Sequence, residues 1–223
     1  MFLTLPDVLE PAAVSALREA VATAQWEDGL ATTGGAGRGR KHNEQVAAGE
    51  SRLAAWQELV LRALRRHPMM QFLVLPKRFM APVFNRYEPG MEYRDHVDFP
   101  LLGGGDTRMR ADLSLTLFLS APESYEGGEL VIEAGSGERR IKLPAGQAYV
   151  YPASTLHRVE PVRSGSRLAA VTTIQSHIRG ESERALLADM LTLWRRIEDL
   201  APASDEQRLA AKIHHNLVRM WAD

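Results

Sequence analysis

A histidine and an aspartate two positions apart, in His96-Val97-Asp98, are the residues of this sequence best spaced to hold a metal ion. On an extended strand, residues i and i+2 point to one face, so the imidazole and the carboxylate can reach one ion together. A tripeptide this short also arises by chance, and two ligands leave most of a coordination sphere open, so the site needs a third. His157, at the start of a late strand-like stretch, is the candidate, because a chain that runs through the intervening strands of a jelly roll returns beside the first pair. Two histidines and one carboxylate on a single face leave three positions open, a set that suits non-haem Fe(II) in oxygenases. Three open positions accommodate a bidentate 2-oxo acid and dioxygen. Zinc takes the same ligands in hydrolases. Arg167, which opens the last strand-like stretch, favours iron. A guanidinium fork inside a barrel suits a bidentate grip on a carboxylate and is costly to bury without an anion. The alternative for Arg167 is a structural ion pair.

Composition narrows the chemistry further. The 223 residues allow one sizeable domain with a small appendage, and a net charge of −1 describes an ordinary globular protein. Without a basic excess, nucleic acid is not expected as a partner. Cysteine is absent, which removes disulfides, thiolate zinc sites, iron–sulfur clusters and a cysteine nucleophile, and leaves nitrogen and oxygen as metal ligands. The first residues lack the charged and apolar regions of a signal peptide, and no apolar run is long enough to span a bilayer. The expectation is a cytoplasmic protein that does not enter the membrane.

The elements that must position these residues fall into three stretches. An amphipathic helix is expected over 7–26, with Val14, Leu17, Val21 and Ala24 at helical spacing and Pro11 in its first turn. A second is expected from a Ser51 cap to about Arg66, with Leu53, Trp56, Val60 and Leu64 on one face and His67-Pro68 as its end. Between them, 28–43 carries Gly29, Gly34, Gly35, Gly37 and Gly39 and reads as a mobile surface loop; its lysine, Lys41, does not follow a glycine as a phosphate loop requires. From Phe72 onward, short strands are expected at 72–75, 79–87, 113–120, 129–133, 139–143, 148–151, 157–162 and 167–175. Leu113, Leu115, Leu117 and Leu119 alternate with Ser114, Thr116 and Phe118, the period of a half-buried strand. Eight consecutive strands separated by glycine and proline turns point to a double-sheet barrel or jelly roll and away from a Rossmann-type sheet. After Gly180 the helical period returns. Leu186, Leu187, Met190, Trp194 and Ile197 form one stripe and Leu209, Ile213, Leu217 and Met220 another, separated by Pro202 with Ser204 or Asp205 as a cap. These apolar faces are expected to pack on the barrel, on each other or on a second subunit. His214 and His215 read as surface or interface histidines, since no carboxylate lies in register with them.

Taken together, Asn85-Arg86-Tyr87-Glu88-Pro89-Gly90, His96-Val97-Asp98, Leu115-Thr116-Leu117-Phe118-Leu119-Ser120, Glu126-Gly127-Gly128-Glu129-Leu130, Tyr151-Pro152, His157-x-Val159-x-Pro161-Val162 and Gly165-x-Arg167 resemble the Fe(II)/2-oxoglutarate dioxygenases of the prolyl 4-hydroxylase type. More narrowly, the sequence resembles the bacterial PKHD-type hydroxylases. Trp26-x-Asp28-Gly29, Thr33-Gly34, Lys41-x-Asn43-x-Gln45 and His215-Asn216-Leu217-x-Arg219-x-Trp221 extend the resemblance over nearly the whole chain. It implies an α+β fold: a double-stranded β-helix (jelly roll) over 78–178, preceded by packing helices and a first strand over 1–77 and followed by a helical hairpin over 179–223.

For the site, the resemblance implies His96, Asp98 and His157 as iron ligands, Arg167 as the anchor of the 2-oxoglutarate C5-carboxylate, and Tyr87 beside the cosubstrate. Where some relatives place a second tyrosine on the strand from Leu115 to Leu119, this sequence has aliphatic residues and Phe118. The resemblance further implies Fe(2+), 2-oxoglutarate, L-ascorbate as reductant, and a link to bacterial iron uptake. Asp98 fills the position that related halogenases leave without a carboxylate, which favours hydroxylation. The expected substrates are a small molecule or a peptide together with dioxygen, and the expected assembly includes a homodimer. Residues 29–43 are the expected cover over the substrate, with Lys41 and Asn43 offering polar contacts. Two other readings use the same residues: a zinc-dependent cupin-like enzyme, and a non-catalytic sensor of metal or 2-oxo acid.

Overall fold

Strand Leu113–Phe118 shows how the molecule is layered. All six of its residues are buried, so it is a central strand with two covered faces, not the half-buried strand that alternation predicts. Leu113, Leu115 and Leu117 turn to one side and join a large apolar core with α1 (Pro11–Ala22) and α2 (Leu53–Arg66), which contribute Val14, Leu17, Val21, Trp56, Val60 and Leu64. Phe118 turns to the other side and packs with Leu130, Ile132, Tyr149 and Tyr151 between two sheets. Each large apolar side chain buried in this way contributes about 1.5–3 kcal/mol, which makes this strand the seam between the helical layer and the barrel interior.

The computed structural model describes residues 1–33, 37–135 and 137–223. Its larger sheet orders the strands Leu3–Leu5, Ala148–Pro152, Leu113–Phe118, Arg167–Ser176, Val83–Tyr87, Glu44–Val46 and Trp26–Asp28, with Pro76–Phe79 paired to the far end of Arg167–Ser176. The smaller sheet orders Gly137–Ile141, Leu130–Ala134, His157–Val159, Glu92–His96 and Lys41–His42. Every pairing is antiparallel. Two facing antiparallel sheets with helices against one outer face make the α+β jelly roll expected above.

Several local expectations need correction. Residues 72–75 are not a strand: Met70–Val74 is a π-helical turn that buries Met70 and Val74, four apart, and leaves Phe72 exposed. A short apolar run fits either period, and here the helical one wins because the turn continues the packing of α2. The first helix is shorter than 7–26, because Trp26 begins a strand. Ser51 does not cap α2; Arg52 stands at that position without a side-chain cap. The end of α2 is as expected, with His67 extended before Pro68. The stretch over 28–43 is not a surface loop throughout. Gly29–Thr32 forms a 3-10 turn whose Gly29 N–H donates to the Asn43 carbonyl, and Lys41–His42 joins the smaller sheet. A side chain at position 29 would collide with Asn43, so glycine is required there. Gly34 and Gly35, part of the same expectation, lie outside the described residues.

The C-terminal hairpin forms as expected from α3 (Glu181–Leu200) and α4 (Asp205–Trp221), with the Ser204 side chain accepting from the Gln207 N–H. Its buried face is rotated from the apolar stripes read in the sequence. Leu187, Leu191, Ala210 and His214 are buried, while Leu186, Leu193, Leu200, Leu209, Ile213 and Met220 are exposed. His214 is therefore an interior residue, not a surface one. It packs beside Trp194 with neither ring nitrogen hydrogen-bonded, and burial lowers its pKa. No helix among the described residues is long and apolar enough to cross a membrane.

Candidate metal centre

The smaller sheet brings the two histidines together by register. His157 lies opposite His96 on neighbouring antiparallel strands, and their ring centroids are 4.1 Å apart. Each ring is oriented by its own backbone: Nδ1 of His96 is 2.8 Å from the Arg94 carbonyl and Nδ1 of His157 is 3.0 Å from the Thr155 carbonyl. A ring that donates from Nδ1 keeps the lone pair on Nε2, the form that binds metals. Asp98 completes the group, its Oδ1 lying 3.9 Å from His96 Nε2 and 3.8 Å from His157 Nε2. One ligand atom from each of the three residues falls within 4.8 Å of the others. Asp98 is not on the strand, which ends at His96. The i, i+2 argument from an extended strand is thus only half met: His96 is the last residue of the strand and Asp98 lies beyond it, although the two side chains do converge.

Burial, and secondarily the neighbouring His157, lowers the His96 pKa to about 4. Tyr93 lies flat against the His96 ring at 3.6 Å and 14°, and Lys41 Nζ sits 5.5 Å from the Tyr93 centroid. On the outer surface, Arg158 links the two histidine strands by pairing with Glu138, Glu160 and, at 3.4 Å, Asp95. Exposed pairs of this kind are worth at most about 1 kcal/mol each.

All three residues open into one cavity of about 410 Å³ that also contains Arg167, Tyr87 and Tyr151. Arg167 is 2 % exposed, lies between the Tyr87 and Phe118 rings at 5.2 and 5.5 Å, and has no carboxylate partner among the described residues. Its Nε is unpartnered, as is the nearby Tyr125 hydroxyl. This is not the structural ion pair that the sequence left open. A buried cation with an unsatisfied N–H beside a cavity is costly unless an anion arrives. Gly128, at φ +63°, keeps the space clear, since a side chain there would meet Arg167 Cδ at 3.1 Å. Tyr87, paired in register with Arg167, has its hydroxyl pKa pushed up to about 12 by burial and is a neutral donor at the cavity wall.

Lys41 lines the cavity and donates to the Gly29 carbonyl and Thr32 Oγ1, and burial lowers its pKa to about 8. Asn43 does not reach the cavity. It donates to Asn85, which does. Sequence reasoning missed Tyr93, Ser114 and Tyr151. The signal for Ser114 was present, since a small polar residue stood among leucines on a strand that proved buried on both faces. Tyr151 shared the inward parity of Tyr149, but nothing local showed that it would face the histidines, as it does at 5.0 Å from the His157 ring.

Residues 82–175 match the model of the 2OG-Fe(II) oxygenase superfamily. A PKHD-type hydroxylase of Methylobacterium nodulans is 42% identical over 229 residues, with 100% of both chains covered. A PKHD-type hydroxylase of Thioalkalivibrio sulfidiphilus is 42% identical over 223 residues, again with 100% of both chains covered. Among solved structures, the viral collagen prolyl hydroxylase of Paramecium Bursaria Chlorella virus-1, in its 2OG complex, superposes with a TM-score of 0.54 at 20% identity. That alignment covers 78% of this chain and 96% of the viral one.

Proposed function

The chain belongs to the PKHD-type hydroxylases of the 2OG-Fe(II) oxygenase superfamily, and from that premise we propose that His96, Asp98 and His157 hold its Fe(2+) while Arg167 anchors 2-oxoglutarate. It is a 2-oxoglutarate-dependent hydroxylase; the proposal concerns which residues do the work and what is released. The observation that carries it is one cavity holding a convergent His–Asp–His set and a buried arginine without an anion. The donor set fits the ion, since two neutral imidazoles and one carboxylate suit ferrous iron with positions to spare. The orphaned Arg167 Nε fits the cosubstrate, whose far carboxylate a guanidinium can grip in bidentate fashion.

When bound, iron and 2-oxoglutarate supply the oxygen chemistry: the 2-oxo acid loses CO2 to become succinate as one oxygen atom is placed on the substrate. The chain's own residues do the rest. Arg167 and Tyr87 fix the far end of the cosubstrate, and Tyr93 holds the His96 ring in plane. Lys41 and Asn85 present polar groups where a substrate enters. Ascorbate as the reductant that keeps iron ferrous, and a link to iron uptake, belong to the same reading. The substrate is a small molecule or a peptide.

Purified protein given Fe(II), ascorbate and 2-oxoglutarate is expected to form succinate with oxygen and none without it. Succinate formation that ignores oxygen, or no turnover with tight binding of both ligands, would replace this reading with a zinc enzyme or a sensor. The pH dependence follows from His96. Its neutral form is the ligand, and burial disfavours its cation, so protons compete with a metal at His96 only as pH falls through about 4. In the metal-free protein the His96 imidazole resonances, assigned with a His96→Gln variant, are expected to titrate near that value. Titration near 6.5 would contradict the burial on which the argument rests.

A further inference from the structure

The two histidines and the aspartate of this centre are held in different ways. Each histidine ring is tied to a carbonyl two residues before it, so its orientation is a local property of its strand. Asp98 has no such tie. It stands beyond the last residue of the Glu92–His96 strand, on backbone outside the sheet. What fixes its carboxylate comes from the opposite sheet: Ser114 Oγ donates a hydrogen bond to Asp98 Oδ2. Ser114 is 1% exposed and sits in the central strand with Tyr151 opposite it on one side and Thr173 on the other. Leu113 and Leu115, both fully buried, lock its backbone from the helical side. The donor therefore cannot wander, and with Oδ2 engaged it is Oδ1 that faces both Nε2 atoms.

We propose that Ser114 is the positioning residue for Asp98, its hydroxyl holding the carboxylate so that a single oxygen is presented to the metal ion. A carboxylate released from that bond turns about its own axis and offers both oxygens or neither. The first choice occupies a position needed by cosubstrate or dioxygen, and the second loses a ligand. One serine on the far sheet thus sets how many positions the centre keeps open. The inference rests on the assignment of His96, Asp98 and His157 made above, so its test must separate the two.

The test measures Mn(II) affinity and the visible absorption spectrum of the Co(II) form for wild type, Ser114→Ala, Ser114→Val, Ser114→Thr and Asp98→Ala. Loss of an outer hydrogen bond to a ligand lowers metal affinity by about 10- to 100-fold, and that loss is expected for both Ser114→Ala and Ser114→Val, with a changed Co(II) spectrum. Ser114→Thr keeps the hydroxyl at nearly the volume of valine and is expected to match wild type in both readouts. Thermal unfolding of the metal-free forms reports whether each variant folds, and the threonine–valine pair separates hydroxyl from bulk. Wild-type affinity and spectrum in Ser114→Ala or Ser114→Val, or equal losses in Ser114→Thr and Ser114→Val, would overturn the positioning role. Asp98→Ala is expected to bind Mn(II) far more weakly than any Ser114 variant. Undiminished binding by Asp98→Ala would overturn the metal assignment itself, and the role of Ser114 with it.

Discussion

Asp98→Ala is expected to reduce substrate-independent conversion of 2-oxoglutarate to succinate to the level of a blank without enzyme. Among the described residues Asp98 is the one anionic group in the cluster with His96 and His157, and its removal leaves two neutral imidazoles to hold a dication. It also leaves the Ser114 hydroxyl, 1% exposed, without its acceptor. Each tenfold of rate corresponds to about 1.4 kcal/mol, so loss of a whole ligand exceeds anything a neighbouring contact can restore. Asp98→Asn is the sharper variant, since it keeps the shape and an acceptor oxygen for Ser114 while removing the charge. Full turnover in either protein would take Asp98 out of the ligand set.

Arg167→Met separates function from stability. Truncating one partner of a buried charged hydrogen bond costs about 2–5 kcal/mol, so the 2-oxoglutarate concentration needed for half-saturation is expected to rise by about 30- to 5,000-fold. Mn(II) affinity should not change, because Arg167 is not among the metal-holding group. The protein without ligands should be no less stable, because a cation without a carboxylate partner has left the interior. Adding 2-oxoglutarate at a hundred times its dissociation constant stabilises wild type by about 2.7 kcal/mol, and at the same concentration the variant should gain less than about 1 kcal/mol, with a correspondingly smaller rise in melting temperature. An unchanged requirement for 2-oxoglutarate would refute the anchor assignment.

The chemistry was more legible in the sequence than the scaffold around it. His96, Asp98, His157 and Arg167 could be named in advance as residues that share one cavity, because a metal and a dianion demand particular side chains and the strand-like stretches suggested where such side chains would meet. Strand Leu113–Phe118 and both C-terminal helices were also legible, since their periods run long enough to be distinctive. The failures share a cause. Met70–Val74 was too short for its apolar residues to declare a period, and Lys41–His42 became a strand only because Glu92–His96 lay beside it. The same holds for the buried face of α4, where His214 went inward and Ile213 outward. The contact of Ser114 with Asp98 joins a central strand of one sheet to backbone just beyond a strand of the other. Pairing across the fold is a property of the assembled barrel, and local sequence carries no record of it.

The pairing of Leu3–Leu5 with Ala148–Pro152 has a consequence for how the chain is made. Leu3–Leu5, made long before Ala148–Pro152, must wait for that late strand of the barrel before it has a neighbour. Glu44–Val46 and Lys41–His42 wait likewise, for Val83–Tyr87 and Glu92–His96, whereas Trp26–Asp28 finds its neighbour early in Glu44–Val46. At ~5–20 residues per second, the delay for the first strand is on the order of ten seconds. Until Leu113–Phe118 and Ala148–Pro152 are made, the apolar faces of α1 and α2 that share a core with them are only partly covered. Such late closure makes folding slow and aggregation a competing outcome during synthesis. The nascent chain is accordingly the form of this protein with the greatest need of a chaperone.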